Sequence, residues 1–179
     1  MADLDSLQPG EVLIISEMPF PIAVGMIERH QEGSHFHHCA VSLGGKIYEA
    51  APPFVRTKTF SEYHDLLTHY SLKRQGWRIR NDRLLTVDVW HGAVSDAQLA
   101  VMQEYAETQL GKPYGLLANY LWDFECALHC SEYCGRILES AGIGTWPTER
   151  SKTTPLDVVR QMQAVGWVRV DKIVYRLPG

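Results

Sequence analysis

The stretch "ECALHCSEYC", Glu125 to Cys134, places three cysteines at four-residue intervals, with His129 beside the middle one. Sulfurs so spaced have three uses: a metal stripe, packing in a buried helix, or one nucleophile with two bystanders. Position along the element separates them. A helix is predicted to begin at or just before Cys130 and run to Ala141, with Gly142 as its stop. The Cys130 thiol then lies over the unpaired backbone N–H groups at the positive end of the helix dipole, where a thiolate is stabilised. Cys134 lies one turn further on, on the apolar side with Ile137, Leu138 and Ala141, and reads as core. Cys126 precedes the helix and receives no role.

A thiolate nucleophile also needs a positioned base. The richest source is "SHFHHC", with His35, His37 and His38. Along a strand, Cys39, Val41 and Leu43 form the apolar set, which sends His38, Ala40 and Ser42 to the opposite face. Parity therefore selects His38, with His35 and His37 as alternatives. The following "LGGKIYEA" reads as a hairpin with a two-residue Gly44-Gly45 loop. Leu43 then pairs with Lys46, Ala40 with Glu49 and His38 with Ala51. Glu49 becomes a diagonal neighbour of His38 on its own face, placed to fix the tautomer of the ring. Ile47 lands on that face as well, while Lys46 falls on the apolar one.

Metal binding is the competing use of these side chains. Cys126, His129, Cys130 and the histidine cluster supply enough donors for zinc, but they lack the two paired short-spaced hooks of structural zinc sites. The residues predict no metal and no organic cofactor.

The elements that must carry the pair follow from pattern. "EVLIIS" after the Gln8-Pro9-Gly10 turn is a strand, and Pro21 to His30 reads as a short helix or lid segment. Thr59 caps a helix to Tyr70, and Leu84 to Trp90 alternates as a half-buried strand. Ser95 and Gln98 have capping-box spacing at the head of a helix that Gly111 ends. Thr154-Pro155 opens another. "WVRV" and "KIVYR" close the chain as two strands. Without regular βαβ alternation, the class is α+β.

The 179 residues suit one domain, 1–179. Their formal charge of -4, with no basic run, argues against a nucleic-acid partner. "MADLDSLQPGEV" lacks the basic and apolar regions of an export signal, and the apolar stretch Met18 to Ile27 is short and broken by proline. The chain is therefore expected in the cytoplasm without a transmembrane segment, its cysteines as thiols.

In order and spacing, "LQPGEVLI", "SHFHHCAVSLGGKIYEA", "GKPYG" and "HCSEYCGRILESAGI" resemble the circularly permuted papain-like hydrolases of the YaeF/YiiX group, within the NlpC superfamily. These blocks span most of residues 7–143. The histidine block precedes the cysteine helix, which is the permuted order. The resemblance implies a central antiparallel sheet packed against helices, with the nucleophile at a helix N-terminus. It implies Cys130 as nucleophile through "CSE", His38 as base through "HCAV", and Glu49 as orienter through the "EA" that follows. Through "GKPY" it implies that Tyr114 lines the site. The implied activity is that of an amidase or endopeptidase on a small peptide or N-acyl amino acid. Two alternatives stand beside it. One is a lecithin:retinol acyltransferase-like acyltransferase or phospholipase on an acyl lipid, using the same Cys/His pair. The other is a non-catalytic or metal-binding module.

Overall fold

The computed structural model describes residues 4–16, 36–76, 84–115, 127–146 and 153–175. The segments Pro21 to His30 and Met18 to Ile27, and the residues His35 and Cys126, lie outside this set. Strands β1 (Val12–Ser16), β2 (Phe36–Leu43), β3 (Lys46–Ala51), β4 (Phe54–Thr59), β5 (Leu85–His91) and β6 (Val168–Tyr175) form one antiparallel sheet in the order β4-β3-β2-β1-β5-β6. The helices are α1 (Phe60–Gly76), α2 (Asp96–Thr108), α3 (Cys130–Ser140) and α4 (Pro155–Ala164), with a 3-10 turn at Leu4–Ser6. This is the mixed α+β class with helices against an antiparallel sheet. Among the described residues no helix is long and apolar enough to cross a membrane.

Alternation sorts the sheet into two buried faces. Val12, Ile14, Cys39, Val41, Leu43, Tyr48 and Ala50 pack with side chains of α2, α3 and α4. Leu13, Ile15, Ala40, Ile47 and Val87 pack on Tyr63 and Leu67 of α1. The second layer resolves a tension in the sequence pattern. Ile47 on the His38 side of the hairpin is buried because α1 covers that side, while Lys46, at the turn, stays exposed. A strand covered on both faces cannot show simple apolar–polar alternation.

Local chemistry sets most boundaries where the sequence places them. Gly44 and Gly45 both take positive φ, 55° and 75°, as a two-residue hairpin loop of the primed type requires, and Leu43 faces Lys46. Ser95/Gln98 and Thr154/Asp157 form reciprocal capping boxes at the heads of α2 and α4. Thr59 and Glu62 make the same exchange before α1, which runs on to Gly76 rather than ending at Tyr70. Two expectations are corrected. From Val168 to Tyr175 the two expected strands form the single strand β6, paired along β5 with one bulge between Val89 and Trp90 instead of a turn. The β2–β3 ladder runs only from Leu43–Lys46 to Val41–Tyr48, so the pairs Ala40–Glu49 and His38–Ala51 do not belong to it. β4 was not foreseen.

Helix α3 sits at the centre of the first face. The Tyr133 hydroxyl donates to the Ala106 carbonyl at 2.9 Å, and the Gln98 side chain donates to the Ala141 carbonyl at 3.1 Å, tying α3 to α2 at both ends. Gly135 lets the Trp146 indole lie against the helix, since a Cβ there would come within 2.8 Å of the ring. Gly135→Ala should therefore lower the unfolding free energy by about 1–2 kcal/mol, overpacking outweighing a helix-propensity gain of up to ~1 kcal/mol. A midpoint that rises on urea denaturation would show that the indole does not fill this contact.

Candidate active site

Cys130 is the first residue of α3 and is 1% exposed. The N-cap is His129, in an extended conformation, whose Nδ1 accepts from the Glu132 N–H at 3.4 Å. The Tyr133 N–H bonds to the His129 carbonyl. Two of the first-turn N–H groups are thus used by His129, and those of Cys130 and Ser131 remain at the positive end of the helix. Histidine is an uncommon cap, so its capping role here was not legible.

The imidazole comes from β2. Opposite Ile15 of β1 stands His38, and opposite Ser16 stands Phe36, so His37 is the extra residue of a bulge. A bulge bends the strand and re-aims neighbouring side chains, which is why parity cannot be carried back past His38. His37 is buried in the bulge. The ring that engages both a carboxylate and the Cys130 thiol is that of His38. His38 Nε2 lies 2.8 Å from Glu49 Oε2, and both side chains are fully buried. A carboxylate only accepts, so Nε2 carries the proton of this bond and Nδ1 holds the lone pair of the neutral ring.

Glu49 is held from its other side as well. Arg56 stands opposite it on β4, and Arg56 Nε donates to Glu49 Oε1 at 2.7 Å. The sequence carried a usable signal for Arg56. A tight turn at Pro52-Pro53 pairs Ala51 with Phe54, and counting back from there sets Glu49 against Arg56.

Electrostatics follow from these contacts. Burial works to lower the His38 pKa, but hydrogen bonds with Cys130 and Glu49 outweigh it and hold the ring at about 9. Burial pushes Glu49 upward, and His38 with Arg56 overcomes this to hold it at about 2. Cys130 differs from the expectation of a simply activated thiol. A hydrogen bond with the Cys39 thiol, together with burial, pushes its pKa up, while His129 and His38 pull it down. Cys39 reaches Cys130 because the apolar set of β2 faces α3; two residues so far apart in the chain gave no sequence sign of this contact. Cys39, Cys130 and Cys134 are all thiols, and Cys134 packs in the core.

Tyr114 is half-buried against the core that contains Leu128 and Cys130. Its segment works as a clip. The Tyr114 N–H donates to the Pro53 carbonyl, the Leu128 N–H to the Pro113 carbonyl, and the Gly115 N–H to the Leu128 carbonyl. The chain just before Cys130 is thereby fixed to the turn that follows Glu49. Among the described residues, no three His, Cys, Asp or Glu side chains are arranged to hold a metal ion.

No family model matches this sequence, and no curated protein matches it. The structure is similar to one described as metalloprotein YiiX from Escherichia coli O157:H7, DUF1105. The TM-score is 0.54 and the identity 20%, over 77% of this chain and 69% of the other. The two chains share a fold.

Proposed function

We propose that this chain is a thiol hydrolase, an amidase or endopeptidase of the permuted papain-like NlpC kind, working through a Cys130 acyl-enzyme. One observation carries the reading: a buried line from the Cys130 thiol through His38 to Glu49, drawn from a helix start and two strands. The fold shared with YiiX supports the YaeF/YiiX assignment, as does the order of the motifs, histidine strand before cysteine helix.

In this reading the neutral form of the His38 ring, which prevails above about pH 9, takes the thiol proton on Nδ1 and the sulfur attacks the substrate carbonyl. The oxyanion meets the N–H groups of Cys130 and Ser131, with the helix dipole behind them. The imidazolium then protonates the leaving amine, and water, relieved of a proton by the same ring, releases the acyl group. Glu49 fixes the ring and stabilises its charged form. Tyr114 lines the approach to the thiol. Cys130 is almost wholly buried, so turnover in this reading requires the side chains over the sulfur to swing aside. The acyltransferase alternative uses the same pair with an alcohol or amine in place of water. A metal-binding role, which the description of YiiX brings to mind, is less well supported. Glu49 is committed to His38 and Arg56, and the described donors do not converge on one point.

An activity-based thiol probe, applied to wild type and to Cys130→Ala, Cys134→Ala and His38→Ala, tests the pair. Labelling should vanish only in Cys130→Ala and slow by about tenfold or more in His38→Ala. Labelling that persists without Cys130, or is indifferent to His38, overturns the reading. Release of fatty acid from a phospholipid, rather than cleavage of a short peptide amide, would move the assignment to the acyltransferase branch.

The buried pair also sets a pH window for stability. Glu49 is lowered from 4.5 to about 2, so its contribution is complete above pH 4.5 and fades as pH falls through about 2. His38 is raised from 6.5 to about 9, so its contribution is complete below pH 6.5 and fades as pH rises through about 9. Urea midpoints should therefore be highest between pH 4.5 and 6.5 and decline on the alkaline side. Glu49→Gln should flatten that alkaline decline; a variant with the wild-type slope would show that the carboxylate does not hold the ring.

A further inference from the structure

We propose that Arg56 is a positioning residue for the chemistry assigned to Cys130, acting through Glu49 on His38. The inference rests on the hydrolase reading and extends it by a fourth residue, on a strand the sequence motifs do not include.

The geometry is a two-point clamp. One Glu49 oxygen lies 2.8 Å from His38 Nε2, and the other accepts from Arg56 Nε at 2.7 Å. A carboxylate bonded through both oxygens to groups on different strands cannot turn about its last torsion. With one bond it can. The guanidinium is itself anchored, since Arg56 Nη1 donates to the Pro52 carbonyl at 3.4 Å in the turn between β3 and β4. Arg56 is 28% exposed and Glu49 1%, so the clamp joins a sealed acid to a cation that keeps part of its hydration. An isolated carboxylate at the Glu49 position would be driven toward its protonated form by burial. Without Arg56 the carboxylate keeps its charge only while His38 beside it holds a proton, so the ring releases that proton less readily.

Among the described residues, these titratable groups face the relay. His38 sees Cys130 and Glu49. Glu49 sees His38 and Arg56. From α1, Tyr63 and Tyr70 face Arg56, and Tyr63 also faces Glu49. A phenol is never a cation, so among the described residues Arg56 is the cation that balances Glu49 when the ring is neutral. That is the state in which His38 accepts a proton.

The test is the pH dependence of iodoacetamide alkylation at Cys130, read by peptide mass, with urea midpoints measured alongside. Wild type is compared with Arg56→Met, Arg56→Lys, Glu49→Gln and the Arg56→Met/Glu49→Gln double variant. Arg56→Met should move the His38 limb of the profile up by about one pH unit, a roughly tenfold gain in proton affinity, because the neutral ring then leaves a buried carboxylate without a cation. Arg56→Lys, which keeps charge but loses the planar fork, should give an intermediate limb; it carries the test alone if the methionine variant does not fold. The double variant should match Glu49→Gln, whose limb moves down, since Arg56 acts on the ring only through the carboxylate. A limb unmoved in Arg56→Met or Arg56→Lys while the midpoint falls would make Arg56 a purely structural ion pair, and additive shifts would also overturn the proposal. Alkylation needs no substrate, so the two readings fail separately. Shifted limbs without any acyl-enzyme would sink the hydrolase and leave the relay. Normal acyl-enzyme turnover in Arg56→Met would sink the relay and leave the hydrolase.

Discussion

A negative charge on Glu49, shut away from water, is the constraint around which the rest of this molecule is arranged. A carboxylate so placed must be neutralised by partners or protonated. Here two cationic or proton-bearing groups converge on it, His38 from β2 and Arg56 from β4, one on each oxygen. Breaking a buried pair from one side costs about 3–5 kcal/mol in comparable proteins, because the other charge is left uncompensated. The three side chains therefore stand or fall together. They also require three consecutive strands in a fixed relation, which the Gly44-Gly45 loop and the Pro52-Pro53 turn provide.

The second constraint is the join between sheet and helix. Cys130 reaches His38 only because α3 lies on one face of the sheet while the bulge at His37 re-aims the strand beside it. The clip of residues 113–115 binds both the turn after Glu49 and the approach to Cys130. Packing on two faces, rather than one, explains why so many polar groups of the site are buried. It also explains why the resting thiol is not simply activated. The dipole and two imidazoles favour thiolate, but Cys39 and burial act against them. The same interior that aligns the groups also restrains the thiol proposed as nucleophile.

Much of this was legible in the residues. The Gly-Gly loop fixed the hairpin, Ser95, Thr59 and Thr154 announced helix starts, and parity put His38 and Glu49 on one side of the strands. Position in the helix separated Cys130 from Cys134. What escaped depended on distant partners. The Cys39–Cys130 contact comes from tertiary packing that no local pattern encodes. β4 and Arg56 follow a proline turn whose geometry is plain only once β3 is placed. His129 serves as a cap although serine, threonine, aspartate and asparagine dominate that role. The terminal strands merged because β5 offered an unbroken partner along their whole length, a bulge taking up the one register shift.

The His38 ring is where these constraints meet, so its protonation state tests them most directly. Nitrogen-15 NMR of the labelled imidazole, followed through pH, reads each ring nitrogen separately. Held by Glu49 and Cys130, the ring should keep its Nε2 proton throughout and lose the Nδ1 proton near pH 9. A ring that titrates at the ordinary 6.5, or that exchanges its proton between both nitrogens, would contradict the arrangement and the chemistry proposed from it.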